Sequence, residues 1–161
     1  MLITAFIFGT LSAFFAVIFE IITLDLSRIH DYSSITLAFS SLALLIAVAL
    51  IEESAKYLFL RQYLFRSFET ITLSLKQAIA LGLGFGFGFS ALEATVILSG
   101  NLGTDSVRGL ISIFLVHIIT TFILVAFLRY PNKRQTTAFF LPLFLAILVH
   151  FFYDAFVSLA L

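Results

Sequence analysis

Long apolar runs separated by short polar pieces dominate the chain. Windows of roughly 20 apolar residues, the length that crosses a hydrocarbon core of about 30 Å, fall near residues 2–24, 35–64, 76–99, 106–129 and 136–161. These runs are continuously apolar, whereas a strand of a membrane barrel would alternate over about ten residues. Helices are therefore expected, and the pattern predicts five transmembrane spans.

The connections between the runs are too short to separate a second domain, so residues 1–161 are predicted to form one compact, all-α membrane bundle. Composition agrees with this fold class. The chain is 61% hydrophobic and 11% charged, and its mean hydropathy of +1.16 lies outside the range of soluble globular domains. The absence of Cys excludes disulfides and thiolate chemistry, and nine basic residues balance nine acidic ones, so no nucleic-acid partner is indicated.

Lys and Arg are unevenly distributed between the two predicted membrane faces. The positive-inside rule places the more basic face in the cytoplasm, which predicts a cytoplasmic amino terminus and a carboxyl terminus on the outside. The basic residues near the second and fourth connections are Arg61, Arg66, Lys76, Arg129, Lys133 and Arg134, against Arg28 and Arg108 on the opposite face.

Ionisable residues occur inside the predicted spans in a number that is high for so small a bundle. A charge at bilayer depth costs several kcal/mol unless it is paired or faces water, so such residues are functional candidates. Glu20 lies near the end of its span and is expected to reach the interface. The full set is Glu20, Glu52, Glu53, Lys56, Glu93, His117, His150 and Asp154.

The spacing of these residues predicts shared helix faces. Lys56 follows Glu52 by four residues and Glu53 by three, so it can approach either carboxylate but neutralise only one at a time. His150 and Asp154 are also four residues apart and are expected to point at the same volume from the last span.

Depth along the helices predicts that these groups meet in one layer. At about 1.5 Å of rise per residue, the acid and imidazole groups lie roughly 18 to 24 Å from the cytoplasmic end of each span. A single buried His or Glu–Lys pair is more often a structural contact, but convergence is harder to explain that way, because every buried polar group adds desolvation without improving packing. The residues in this layer are Glu52, Glu53, Glu93, His117 and His150.

Glycines alternate along residues 82–89, GLGFGFGF. A phosphate-binding loop is only weakly indicated, because no soluble strand precedes the run, no Lys-Ser or Lys-Thr follows it, and the run lies inside a span. On a helix, Gly82 with Gly86 and Gly84 with Gly88 form two overlapping small-xxx-small faces. These faces predict close helix approach, which is expected to bring Glu93 near the second span.

Several intramembrane chemistries lack the residues that they need. The HExxH zinc signature is absent. An aspartyl dyad requires two Asp, and Asp154 is the only one inside a predicted span, although Tyr153-Asp154 matches half of such a motif. Ser54, Ser90 and Ser158 are present, but nothing in their surroundings marks any of them as a nucleophile.

A glutamate and histidine site remains. A Glu in a dry bundle can act as a general base that takes a proton from water. His117 and His150 could orient that water, donate to the developing oxyanion or hold a metal. Asp154 would fix the orientation of a His ring or bind the same metal.

The order of these motifs resembles the PrsW family of intramembrane proteases. The motifs are Glu52-Glu53-x-x-Lys56, Phe89-x-x-x-Glu93, His117 and His150-x-x-x-Asp154, and they cover residues from about 35 to 161. That family is grouped with the CAAX prenyl endopeptidases, with bacteriocin-processing enzymes and with the scaffold subunit of gamma-secretase.

The resemblance implies hydrolysis of a peptide bond in a membrane-embedded or membrane-anchored substrate, in the bilayer of a prokaryotic plasma membrane. It implies Glu52 as the base and Glu53 as its partner, with Lys56 and Phe89 in support. The CAAX-type relatives carry His where this chain has Glu93 and often Asn where it has Asp154, so metal use stays open. If a metal such as Zn²⁺ is bound, its expected ligands are His117, His150, Glu93 and Asp154.

Two other functions are compatible with the same residues. A non-catalytic scaffold would use the polar groups to bind a partner helix, as the gamma-secretase relative implies. A proton-coupled transporter would use them as a relay, although the five predicted spans contain no inverted repeat.

Overall fold

Five helices make up almost all of the computed structural model, which describes residues 1–27, 34–68, 71–99, 106–130 and 140–160. No strand occurs within these ranges, so the predicted all-α bundle is confirmed. The helices are α1 (Leu2–Ser27), α2 (Ser34–Phe68), α3 (Leu75–Ser99), α4 (Ser106–Leu128) and α5 (Phe140–Ala160).

Four of the helices are long and apolar enough to cross a membrane, judged on the part of the chain that the structure describes. The remaining helix, α2, is 35 residues long, or about 50 Å at the usual rise per residue, and its second half carries Glu52, Glu53, Lys56, Arg61 and Arg66. The four apolar stretches are Leu2–Ile22, Leu75–Val96, Leu110–Leu128 and Phe140–Val157.

The helices pack into a closed ring. α3 lies against α1 on one side and α4 on the other, α5 packs against α4 and α2, and α2 returns to α1. A contact between α2 and α4 crosses the ring. Because the ring is closed, side chains that point inward from different helices share one interior.

Close backbone approach between α1 and α3 depends on glycine in both helices. A Cβ added at Gly84 would lie 2.8 Å from the carbonyl oxygen of Leu2. A Cβ at Gly88 would overlap the backbone carbonyl of Phe6, and one at Gly9 would overlap the backbone of α3. Any larger residue at these positions would push the two helices apart, so glycine sets their separation.

The other glycine face of α3 meets α4. A Cβ at Gly82 would touch the ring of Phe122, and one at Gly86 would approach the backbone of Ile118. The glycine faces were predicted to bring Glu93 near the second span. The two faces hold α3 against α1 and α4, because they point to opposite sides of the helix. Glu93 lies beside an imidazole of α4 and also lines a cavity with Glu52 of α2, so it is near the second span as predicted.

Apolar side chains divide between the interior and the outer surface of the ring. The aromatic residues Phe140, Phe144, Phe152 and Phe156 of α5 are each more than half exposed, as expected of a helix that faces lipid. The interior below the polar layer is filled by the buried residues Leu60, Leu64, Leu81, Phe85, Leu124 and Leu128.

Candidate active site

Helix α2 buries three charged residues within one turn. Glu52 is 5% exposed, and Glu53 and Lys56 are fully buried. Successive residues of an α-helix point about 100° apart, so the two adjacent carboxylates face different neighbours. The site is built around this difference.

Lys56 lies at the centre of the polar layer. Its Nζ donates to Glu53 Oε1 at 2.6 Å and to Thr120 Oγ1 at 3.3 Å, and it lies 2.6 Å from His117 Nδ1. The same Nζ lies 4.3 Å from the centroid of the Phe89 ring, in cation–π geometry. Of the two adjacent acids, Glu53 is therefore the one that Lys56 neutralises.

The contacts of His117 determine which ring nitrogen carries the proton. An ammonium group can only donate, so Nδ1 of His117 accepts from Lys56. Nε2 must then carry the proton, which it donates to a carboxylate oxygen of Glu93. The Phe89 ring packs on the same imidazole, with ring centroids 4.7 Å apart.

His150 has the opposite arrangement. Its Nδ1 donates to Glu53 Oε1 at 2.7 Å, which leaves the lone pair on Nε2 facing the interior. Nε2 lies 3.5 Å from Glu52 Oε2 and 3.6 Å from Asp154 Oδ2. A carboxylate that holds one nitrogen of a His while the other points at a ligand is the usual arrangement around metal-binding histidines.

Glu52 presents an uncommitted carboxylate oxygen between the two imidazoles. Its Oε2 lies 3.5 Å from His150 Nε2 and 3.8 Å from His117 Nδ1, and it has no hydrogen-bond partner among the residues that the structure describes. The two imidazole rings are 5.1 Å apart and nearly perpendicular. Glu52 Oε2 is thus available to a ligand or a water at this point.

All the site residues predicted from the sequence belong to one connected set of contacts. Four helices contribute to it, as the depth argument predicted. The members are Glu52, Glu53 and Lys56 of α2, Phe89 and Glu93 of α3, His117 of α4, and His150 and Asp154 of α5.

Helix α1 adds a carboxylate that the sequence interpretation left at the interface. Glu20 lies within hydrogen-bonding reach of Glu52, and both line a cavity of about 330 Å³ between α1, α2 and α3, together with Glu93. The sequence held a signal for this placement. Glu20 lies 18 residues after Leu2, or about 27 Å along the helix, which is next to the predicted polar layer.

A comparison with protein-family models matches residues 1–161, the whole chain, to the PrsW family intramembrane metalloproteases. The chain belongs to the PrsW family. It is therefore an intramembrane protease that acts on substrates in the bilayer, and the resemblance seen in its motifs is confirmed. No curated protein and no solved structure matches the chain.

The PrsW family description includes a metal, and three residues of the site fit one. Glu52, His117 and His150 each offer a ligand atom, and these atoms all lie within 4.8 Å of one another. Two His and one Glu form the ligand set of many catalytic zinc sites. The uncommitted Glu52 Oε2 and the free Nε2 lone pair of His150 are suitable donors.

The set differs from the ligands predicted for a PrsW-type metal. The group of three includes Glu52, whereas the predicted ligands Glu93 and Asp154 contact the imidazoles of His117 and His150 from outside it. His117 Nδ1 also contacts Lys56 in this structure, so His117 would have to give up that contact to serve as a ligand.

Proposed function

We propose that this PrsW-family protein is an endopeptidase in which Glu52 activates the water that attacks the scissile peptide bond. The observation that carries the proposal is the position of Glu52 Oε2, which has no partner among the described residues, lies between two imidazoles and lines the cavity. A general base must be within hydrogen-bond reach of the water that it deprotonates. The carboxylate accepts the proton and then donates it to the leaving amine.

Glu53 holds the site in shape. Both of its close contacts use Oε1, which accepts from Lys56 Nζ at 2.6 Å and from His150 Nδ1 at 2.7 Å. A carboxylate that already accepts two charge-assisted or short hydrogen bonds is a poor base. Its contribution is to fix the ring and tautomer of His150, so that Nε2 faces Glu52.

Glu93 and Phe89 orient the His117 imidazole, while Asp154 lies near the unprotonated Nε2 of His150. Glu93 accepts from His117 Nε2, and Asp154 lies 3.6 Å from His150 Nε2. Phe89 packs against His117 and limits its rotation. With both rings held in place, a water or a substrate carbonyl next to Glu52 meets groups that need no reorganisation during the reaction.

A metal such as zinc would be held by Glu52, His117 and His150, and it would supply Lewis-acid polarisation of the scissile carbonyl. In that state Glu52 would serve as a ligand in place of its role as the base. Glu53 supports such a ligand set through His150 in the same way as it supports the metal-free site. Metal binding would require His117 Nδ1 to give up its contact with Lys56.

Cleavage of transmembrane peptides tests this proposal. The purified protein in lipid vesicles is incubated with a pooled library of transmembrane segments, and new peptide termini are identified by mass spectrometry. We expect wild type to produce new termini, and the Glu52→Gln and His150→Ala variants to produce none. Phe152→Ala removes a lipid-facing side chain from the same helix as His150 and serves as the matched control, which should cleave as wild type does. Cleavage by Glu52→Gln at the wild-type rate would contradict the proposal.

A further inference from the structure

The cavity between α1, α2 and α3 combines apolar walls with a group of carboxylates. Small and aliphatic side chains, among them Ala13, Ala16 and Val48, line most of it. Glu20, Glu52 and Glu93 contribute its polar surface. Its volume of about 330 Å³ is at the low end for ligand pockets, about 300 to 1,000 Å³, and is suited to one side chain of a longer substrate.

The described residues give the cavity no positive charge. None of its described lining residues is Lys or Arg, and the nearest ammonium, that of Lys56, donates to Glu53. Oε1 of Glu20 and Oε2 of Glu52 are buried without a hydrogen-bond partner among the described residues, and Glu52 as a whole is 95% buried, since 5% is exposed. Carboxylates at bilayer depth are stable when a cation or a donor meets them, and no described residue supplies one to these two oxygens.

We propose that this cavity is a substrate subsite for a basic side chain, Lys or Arg, close to the scissile bond, and that Glu20 determines this specificity. The inference rests on the proposed peptidase function and adds a substrate class to it. The apolar walls contact the methylene stem of the side chain, while its charged head reaches Glu20. Because Glu20 touches Glu52, a substrate held there places its backbone next to the proposed base.

Paired peptides test the specificity. A cleaved member of the transmembrane library is resynthesised with Lys or norleucine, which has the same stem without the ammonium, at each position near the cleaved bond. We expect one position at which Lys raises kcat/KM about tenfold or more, the lower limit for a hydrogen bond to a charged group. In the Glu20→Gln variant the ratio should fall towards one, and Glu20→Lys should prefer a peptide with Glu at that position. A ratio of one in wild type, or an unchanged ratio in Glu20→Gln, would overturn the inference.

A capture experiment separates the subsite from the chemistry. The same Lys and norleucine peptides, carrying a photoreactive leucine, are cross-linked to the Glu52→Gln protein in vesicles, and the labelled helix is mapped by mass spectrometry. We expect more capture of the Lys peptide, on α1, and equal capture of both peptides once Glu20→Gln is added. If wild type cleaves no member of the library, the capture uses Lys and norleucine versions of uncleaved members, and preferential capture of the Lys version would retain the subsite and reject the peptidase function. Equal capture by Glu52→Gln would reject the subsite.

Metal analysis distinguishes a substrate ammonium from a bound metal as the cation at Glu20. The zinc content of the purified Glu20→Gln protein is compared with that of wild type after loading with zinc. We expect the two contents to be equal, because Glu20 lies outside the group of three ligand residues. A loss of zinc in Glu20→Gln would make Glu20 a metal ligand and overturn the inference.

Discussion

Glu53 and His150 lie 97 residues apart in the chain and are joined by a hydrogen bond of 2.7 Å between Oε1 and Nδ1. The same carboxylate oxygen accepts from Lys56 at 2.6 Å. A single buried atom therefore ties α2 to α5 and also balances the ammonium charge. This relationship separates the duties of the two adjacent acids. Each has an Oε2 without a hydrogen-bond partner among the described residues, but Glu53 Oε1 already accepts from Lys56 and His150, whereas Glu52 lines the cavity.

The two adjacent glutamates are expected to respond differently to the same substitution. Glu52→Gln should lower kcat by about 10²- to 10⁴-fold, the usual contribution of a general base, with little change in thermal stability. Glu53→Gln should lower the melting temperature as well, since it weakens the contacts to Lys56 and His150. Peptide cleavage and thermal unfolding in detergent, measured on both variants, check this. A greater loss of stability in Glu52→Gln would reverse the assignment.

Removal of the Lys56 charge is expected to destabilise the folded protein. Lys56→Met leaves the buried Glu53 carboxylate without its ammonium partner, and breaking a buried ion pair in this way costs about 3–5 kcal/mol. Adding Glu53→Gln to the same chain should recover a large part of that loss. Chemical unfolding of both single variants and the double variant in detergent gives the coupling free energy. Additive losses in the double variant would show that the pair is not coupled.

The α1–α3 contact is expected to tolerate no side chain at Gly88. Gly88→Ala places a methyl group against the Phe6 carbonyl, and overpacking of this kind costs about 1–3 kcal/mol. Gly82→Ala is the matched control on the same helix, because its Cβ would meet the Phe122 ring, which can move. Unfolding in detergent should give a lower free energy of unfolding for Gly88→Ala than for Gly82→Ala. Equal values would contradict the close contact between Gly88 and the Phe6 carbonyl.

Zinc retention is expected to depend on His150 and, more weakly, on Glu53. His150→Ala should lose the metal, whereas Glu53→Gln should weaken binding about 10- to 100-fold, as loss of the carboxylate behind a metal-binding His usually does. Competition with a zinc chelator measures both effects, and Phe152→Ala should retain the wild-type affinity. Zinc binding that is unaffected by His150→Ala would place the metal elsewhere.

The orientation of the bundle is predicted from charge and can be tested directly. The chain contains no Cys, so single-cysteine variants carry no background. Gln135→Cys, in the basic fourth connection, should be protected from an impermeant thiol reagent in intact cells, whereas Asn101→Cys, in the third connection, should react. The opposite labelling pattern would invert the predicted topology.

The sequence predicted which residues share the polar layer of the bundle. It did not predict that α1 contributes a carboxylate to that layer. The depth count placed Glu52, Glu93, His117 and His150 in one layer, because the rise of a helix is constant and the bilayer sets a common origin. The same reasoning left Glu20 at the interface, whereas in the structure it lines the cavity with Glu52 and Glu93. This point depends on which helices are neighbours in the ring, and no regularity along one chain determines that order.

The sequence by itself determined the class of the protein, its helices, and the residue types that carry its chemistry, because apolar length and buried charge are constrained by the bilayer one helix at a time. The tertiary structure alone decided that Lys56 pairs with Glu53 and not with Glu52, that His150 bonds to the same oxygen as Lys56, and that α1 supplies Glu20 to the cavity. These choices depend on which helices are neighbours in the ring, and that order is set by packing among helices that are distant in the chain.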